Sequence, residues 1–388
     1  MLEHSQTTRN SMLAIVLGSV LFGYWLILPV VLGVYSDIYG LQEDKLGALA
    51  SIYSLGIFIT TLTSTVWLTR FRRKSQIVMG ALLSALGFFL LLQHATGDDL
   101  TLLYHFISSL GLGVAYAAMM AVLADSANPT RSFALLFFLQ VVIGVMGSLM
   151  LTRAVSAEQT LSVVYAGMAV IGVLSALLAT KFQEPDKARR VVASQPLRSR
   201  WAPSLPILLG LLSILLVFTG DAGVWVFLER IGSAVEDRKL GGNLVSINLA
   251  AGAIGSLTAA WLANRFGFLL PMVLAIGLSI LSVAMLNLSA SDLVLLTASF
   301  INGWAWNFGA AYRMALVAHL DGERRFVALI PAMQTLGNAI GPSLVGVIIA
   351  WASYSAAYWV VAVLWLAALG SYYPAWKAYQ STNNNRVH

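Results

Sequence analysis

Twelve runs of 21–26 mostly apolar residues, separated by short polar breaks, occupy almost all of this chain. They fall at 11–35, 45–68, 75–95, 101–124, 132–152 and 160–181, then at 205–229, 241–263, 269–289, 293–318, 326–350 and 353–375. A helix needs about 20 such residues to cross the hydrocarbon of a bilayer. Closed β-barrels also satisfy a backbone in lipid, but their strands are short and alternate polar with apolar residues. Stretches such as Leu209 to Phe218 do not alternate. The chain therefore reads as an all-α integral membrane protein with twelve transmembrane helices. Composition decides against a soluble fold: 59% of the 388 residues are hydrophobic and 10% charged, where soluble domains carry about 25% charged residues. The polar stretch Met1 to Asn10 precedes the first run, which is too long for a signal-peptide core of about 7–15 residues and is read as a retained span.

The basic residues lie unevenly about these spans. With the N-terminus in the cytoplasm, that side collects 17 of the 23, among them Arg9, the cluster Arg70, Arg72, Arg73 and Lys74, Arg131, Arg265, Arg324 and Arg325. The other side holds five, Lys45, Arg153, Arg230, Arg238 and Lys239, and Arg313 stands inside a span. Basic loops stay on the cytoplasmic side of membrane proteins, so both termini are expected there, in a multi-pass protein of the cell (inner) membrane. The same segregation argues that the net charge of +6 serves topology and not nucleic acid. Cysteine is absent, which excludes a disulfide framework and thiolate chemistry.

The chain is also duplicated. Lys45-Leu46-Gly47 recurs as Lys239-Leu240-Gly241, Trp67-Leu68 as Trp261-Leu262, Arg70-Phe71 as Arg265-Phe266 and Ala115-Tyr116 as Ala311-Tyr312. Asp125 and Asp321 follow the last pair, and Gln140 and Gln334 continue the series, all at offsets of 194–196. One dipeptide proves little; six matches in register mark a repeat. The expected organisation is an N-terminal six-helix half over 1–181 and a basic cytoplasmic linker over 182–204. A C-terminal six-helix half with a short tail follows over 205–388. Pro185, Pro196, Pro203 and Pro206 argue against one continuous helix through the linker.

Twelve spans in two parallel halves about a basic linker resemble the major facilitator superfamily, over essentially the whole chain. The loops after spans two and eight of that family carry Gly-x-x-x-Asp-Arg-x-Gly-x-Arg-Arg/Lys. Here the first copy reads Thr65-Val66-Trp67-Leu68-Thr69-Arg70-Phe71-Arg72-Arg73-Lys74 and the second Ala260-Trp261-Leu262-Ala263-Asn264-Arg265-Phe266-Gly267. The basic positions fit, but Thr69 and Asn264 stand where the family has its acid, and the first Gly is lost in both copies. In the family that acid helps latch the cytoplasmic side, so this chain resembles a divergent member. Asp125 and Asp321, with Arg131 and Arg324 nearby, either take over a gating role together with Arg70, Arg73 and Arg265 or are solvated loop charges. Gly337-x-x-x-Gly341-Pro342 in span eleven looks like the family's antiporter motif or marks close helix packing at small residues.

The resemblance implies that spans 1, 4, 7 and 10 line a central cavity. Asp221 in span seven is the one carboxylate well inside a span, and an ionisable group there costs about 2.5–3.5 kcal/mol on insertion scales, so it should face protein or water. It either carries a coupling proton or makes a structural ion pair. Trp225, a candidate substrate contact, and Glu229 share its helical face. Span ten sets Asn302, Trp306 and Arg313 along one stripe, with Asn307 beside it, offering amides, an aromatic wall and a guanidinium suited to a carboxylate or phosphate. Arg313 reads equally as a partner of Asp321. Gln140, Gln334 and Tyr24 complete the candidate substrate contacts, each with helix packing as the alternative. His105 in span four reads as a titrating group or as a hydrogen-bonded structural residue.

No Walker loop, His-Glu-x-x-His or Gly-x-Ser-x-Gly is present, so neither an ATP-driven pump nor an enzyme is expected, and no cofactor or metal. The expected function is secondary transport of a small organic solute, an organic anion or an amphipathic aromatic compound, by alternating access. Protons are the expected coupling ion, and the protein is expected to act as a monomer in the lipid bilayer. The alternative is a broad-specificity proton-coupled exporter of lipophilic or cationic compounds.

Overall fold

A computed structural model describes residues 2–68, 70–126, 128–183, 203–235, 238–262, 265–288, 291–321, 326 and 329–387. Twelve helices and no strand are present among them. In chain order they are α1 Leu2–Tyr39, α2 Glu43–Trp67, α3 Arg73–Gln93, α4 Asp99–Ala124, α5 Pro129–Arg153 and α6 Ala157–Ala179. The second set is α7 Leu205–Val235, α8 Arg238–Leu262, α9 Leu269–Leu288, α10 Asp292–Leu320, α11 Ile330–Trp351 and α12 Tyr354–Val387. Every expected span has become one helix.

Eleven of the twelve are long and apolar enough to cross a membrane. The remaining one, α10, is 29 residues long but carries Asn302, Asn307, Arg313 and His319, which depress its hydropathy. Helix ends run past the apolar runs, most at α1 and α12. Hydropathy marks only the lipid-embedded part, whereas helical hydrogen bonding propagates residue by residue once nucleated. Pro29, Pro342 and Pro374 lie inside helices, as transmembrane helices tolerate.

The chain forms two compact units. The first comprises Met1–Ile27, Ile52–Gly147 and Ala157–Trp201, and the second Leu28–Ser51, Ser148–Ser156 and Ala202–His388. The ends of α1, α2 and α5 farthest from the chain termini thus belong with the C-terminal helices. Most of the expected linker, residues 184–202, lies outside the described residues, as does Arg324. The N-terminal end of that linker is anchored within the first unit. Arg9 Nη2 donates to the Lys181 carbonyl at 2.9 Å, and Asn10 exchanges two hydrogen bonds with the Gln183 backbone at 2.8 and 3.1 Å.

In the first unit α3 packs on α4 and α6. The α3/α4 crossing is built on glycine: a Cβ on Gly80 would stand 2.6 Å from the Ala115 nitrogen, and one on Gly87 would stand 2.5 Å from the Ser108 nitrogen. Its core is aromatic. The Tyr24 ring lies 4.9 Å from both Tyr53 and Phe88, 5.9 Å from His105 and 6.2 Å from Tyr165. In the second unit α10 packs on α8 and α9, and α7 on α11 and α12. A buried amide ladder ties the first of these groups together. Asn248 Nδ2 donates to the Ser299 carbonyl and to Asn302 Oδ1 at 3.0 and 3.2 Å, and Asn302 Nδ2 donates to Ser282 Oγ at 3.4 Å.

The start of α4 shows how local charge sets a helix end. Asp98 caps it, its carboxylate accepting from the Thr101 N–H at 2.9 Å and from His94 Nε2 at 2.7 Å. The His94 hydrogen bond foremost, and the backbone N–H of Thr101 after it, hold this carboxyl well below the usual carboxylate range. A depressed folded-state pKa contributes stability above the unfolded value of about 3.9 and loses it as pH falls below that value through the folded one. Asp98→Ala should therefore lower the melting temperature modestly at about pH 7, and the gap to wild type should close in strong acid. Thermal unfolding in detergent across that pH range measures it.

Candidate functional site

Asp221 stands midway along α7 and is fully buried in the second unit. Small neighbours let other helices close around it. Gly220 admits the Trp365 indole of α12, whose Nε1 is 2.7 Å from where a Cβ would be, and Gly223 faces Val345 and Gly341 of α11. Neither carboxylate oxygen has a hydrogen-bond partner. The Trp365 N–H is near enough to act on the carboxylate yet falls outside hydrogen-bond geometry.

Arg313 of α10 is 1% exposed and lies within electrostatic reach of Asp221 through the protein interior. The two do not close into an ion pair within hydrogen-bonding distance. Instead Arg313 Nη2 donates to the Trp306 carbonyl at 3.3 Å, Nη1 lies 3.8 Å from the Met272 sulfur, and Nε has no partner. Two opposite charges buried with so few other partners depend on each other, because removing either leaves the second uncompensated. Placing a proton on Asp221 would leave Arg313 without its counter-charge. The alternative partner expected for Arg313, Asp321, is engaged elsewhere: it accepts from the Phe326 N–H at 2.5 Å at the end of α10.

The other expected substrate contacts divide by exposure. Trp306, Asn307 and Gln334 are partly exposed within the second unit. Trp306 meets the Phe218 ring edge-on at 5.8 Å, Asn307 Nδ2 donates to the Gly303 carbonyl at 3.3 Å, and Gln334 Nε2 lies 3.5 Å from the Met314 sulfur. Asn302 is enclosed in the amide ladder, and Trp225, 2% exposed, lies one turn from Asp221 with its indole N–H unpartnered. In the first unit Gln140 Nε2 donates to the Tyr116 hydroxyl at 3.1 Å, and Tyr116 stacks on Phe22 at 5.1 Å. Tyr24 is fully buried and donates to His105 Nε2 at 2.7 Å. The direction follows from His105 Nδ1, which is 2.9 Å from the Thr101 carbonyl and must donate to it.

Of the expected gating residues, Arg73 and Asp125 form an ion pair at 2.7 Å inside the first unit. Arg265 lies over the Trp261 ring, 5.4 Å from its centroid, and Arg70 and Arg131 are exposed. Gly337 and Gly341 of the motif in α11 face the α7 backbone, with a Cβ on Gly337 standing 2.9 Å from the Leu215 oxygen. Close helix packing therefore accounts for that motif's small residues. Trp365 and the pair Asp37–Arg230 escaped the sequence reading. Arg230 Nη1 is 3.2 Å from Asp37 Oδ1. Neither the repeat nor the motifs mark that pair, whose members lie 193 residues apart in the sequence.

The sequence profile of the Major Facilitator Superfamily matches residues 13–230 and 210–386. The chain belongs to the major facilitator superfamily. Solved superfamily structures share its fold. The nucleoside transporter NupG, in a mutant form, superimposes with a TM-score of 0.73 at 14% identity, over 97% of this chain and 99% of that one. A bacterial homologue of the human lysosomal transporter Spinster gives 0.70 at 13% identity, over 97% and 98%. The transporter FucP in its outward conformation gives 0.60 at 18% identity, over 94% and 99%. No curated protein matches the sequence. At such identities the likeness speaks for the superfamily fold, a multi-pass membrane transporter fold, and the solute must be argued from the side chains.

Proposed function

We propose that this protein is a proton-linked secondary carrier of a small organic anion, including amphipathic aromatic anions, working by alternating access. The observation that carries the reading is Asp221, fully buried, without a hydrogen-bond donor and within electrostatic reach of the buried Arg313. Neutralising Asp221 with a proton frees Arg313 of its counter-charge, and the carboxylate or phosphate of a solute then takes that place on the guanidinium. Proton and anion enter the site together because the charge balance requires both. Trp306, Asn307 and Gln334, partly exposed on the same unit, supply an aromatic wall and amides for the rest of the solute.

The charge distribution supports placing both termini in the cytoplasm and the protein in the cell (inner) membrane. It needs no cofactor and acts as a transporter, not an enzyme. The solutes named for the similar structures, such as nucleosides, belong to distant relatives and do not choose among anions here.

Two measurements test the reading. Solute uptake into proteoliposomes should rise when a proton gradient is imposed and fall to the equilibrating level when the gradient is collapsed. A panel of organic anions and cations should stabilise the detergent-solubilised protein against heat selectively, with anions effective and Arg313→Gln abolishing the effect. Stabilisation by lipophilic cations alone would refute the Arg313 assignment and favour a cation exporter.

A further inference from the structure

Trp365 is fully buried in the second unit, where α12 packs on α7. It meets α7 by the pyrrole edge of its ring: Nε1, Cδ1 and Cε2 stand 2.7, 3.2 and 3.2 Å from where a Cβ on Gly220 would be. Gly220 directly precedes Asp221, so the absence of a side chain there brings the indole N–H beside the carboxylate. The two groups are complementary orphans. The Trp365 N–H has no acceptor, and neither Asp221 oxygen has a donor. A buried N–H without a partner costs free energy that a phenyl ring of similar bulk would avoid. Packing alone therefore does not account for an indole at this position.

The charges around Asp221 are few. Arg313 of α10 and the Trp365 N–H of α12 both act on it. On α12 the Tyr372 hydroxyl is engaged, donating to the Phe268 carbonyl at 3.1 Å, and on α10 Tyr312 neighbours Arg313. No ionisable side chain is present on α11, and those of α8, Arg238 and Lys239, stand in its first turn. Glu229 and Arg230 of α7, with Tyr35 and Asp37 of α1, lie about two turns or more farther along.

We infer that Trp365 is a positioning residue of the proton site, its indole N–H taking the ionised carboxylate of Asp221 and keeping it from closing on Arg313. The inference rests on the reading of Asp221 as the proton-carrying group. A carboxylate held on α12 balances the charge of Arg313 through the interior without contact. Contact would occupy the guanidinium fork that a solute anion needs. A donated hydrogen bond to a charged acceptor is also stronger than one to a neutral acceptor, so the indole follows the charge state of Asp221. Gly220 is required because any side chain would lift the rigid ring edge away from its neighbour. Trp225, one turn along α7 and also without an acceptor for its N–H, is the competing donor.

The test reads the indole itself and needs no solute. In protein labelled with 15N-tryptophan, the Trp365 N–H signal is assigned by its loss in Trp365→Phe. As pH rises and Asp221 ionises, this signal should move downfield, while that of the exposed Trp359 on the same helix stays in place. In Asp221→Asn the Trp365 signal should not respond to pH. The positioning role is read at Arg313, whose Nε–H signal is assigned in 15N-arginine-labelled protein by its loss in Arg313→Gln. With the donor gone in Trp365→Phe, the carboxylate should close on the guanidinium, and the Arg313 signal should move downfield at high pH relative to wild type. A purely structural tryptophan would give neither the titration nor its dependence on Asp221. A pH-independent Trp365 signal, a response carried by Trp225 instead, or an Arg313 signal unchanged in Trp365→Phe would each overturn the inference. Failure of gradient-driven uptake with the indole still tracking Asp221 would refute the carrier reading alone. Gradient-driven uptake with a silent indole would refute this inference alone.

Discussion

Asp221→Asn should abolish the response of solute uptake to an imposed proton gradient. The amide keeps the shape of the carboxyl but can neither take nor release a proton in the physiological range. It also removes the negative charge that acts on Arg313; because the two are not in ion-pair contact, the cost should fall below the roughly 3–5 kcal/mol of breaking a buried pair. The substitution should therefore lower thermal stability as well as coupling, and the two effects must be separated. Combining Asp221→Asn with Arg313→Gln removes both charges, so it should recover much of the lost stability while the gradient response stays absent. Uptake with and without a gradient, set beside melting curves of the four variants in the cycle, measures both. Unchanged gradient dependence in Asp221→Asn would take the proton away from this residue altogether.

Gly111→Ala should destabilise the first unit severely, where the same change at other glycines is harmless. Gly111 lies on α4 where it crosses α3, and a Cβ there would stand 2.6 Å from the Gly80 oxygen and closer still to the Ser84 nitrogen. Both walls are backbone, so no rotamer change relieves the overlap and the helices must separate. Overpacking in cores costs about 1–3 kcal/mol even where side chains can yield, and the loss here should reach the top of that range or prevent folding. Gly167 on α6 has nothing within 4 Å of its Cβ position. There Gly167→Ala should be neutral or gain up to about 1 kcal/mol from helix propensity. Monodispersity in detergent and thermal unfolding distinguish the two; equal behaviour would mean that α3 and α4 do not meet as closely as described.

The glycines also show why part of the fold was legible and part was not. Hydropathy located all twelve helices because lipid imposes one requirement on every span, and the repeat led to the expectation of two related halves because both copies kept small and charged landmarks in register. The same reasoning singled out Asp221 and Arg313, since an ionisable residue in a span is expensive wherever it points. It did not pair them. Whether Arg313 turned toward α7 or away from it depended on the rotation of α10 about its own axis, and the close contacts of Gly303 with Asn248 and of Gly309 with Ala275 fix which of its faces meet α8 and α9. For the same reason Asn302, on the stripe expected to meet solute, instead completes the ladder with Asn248 and Ser282.

What the sequence by itself determined was the class of molecule. An apolar chain in twelve segments, internally repeated and with most basic residues in alternate loops, has a multi-pass helical membrane fold as its physical solution. What only the tertiary structure decided was who meets whom. Asp125 pairs with Arg73, Tyr24 with His105, Asp37 with Arg230, and Glu229 rests on Gly33. The physical reason is one of range. Burial in lipid is a property each residue carries along the chain, whereas a contact depends on the azimuth of two helices at once. That azimuth is settled by the sum of many small packing contacts, none of them visible one residue at a time.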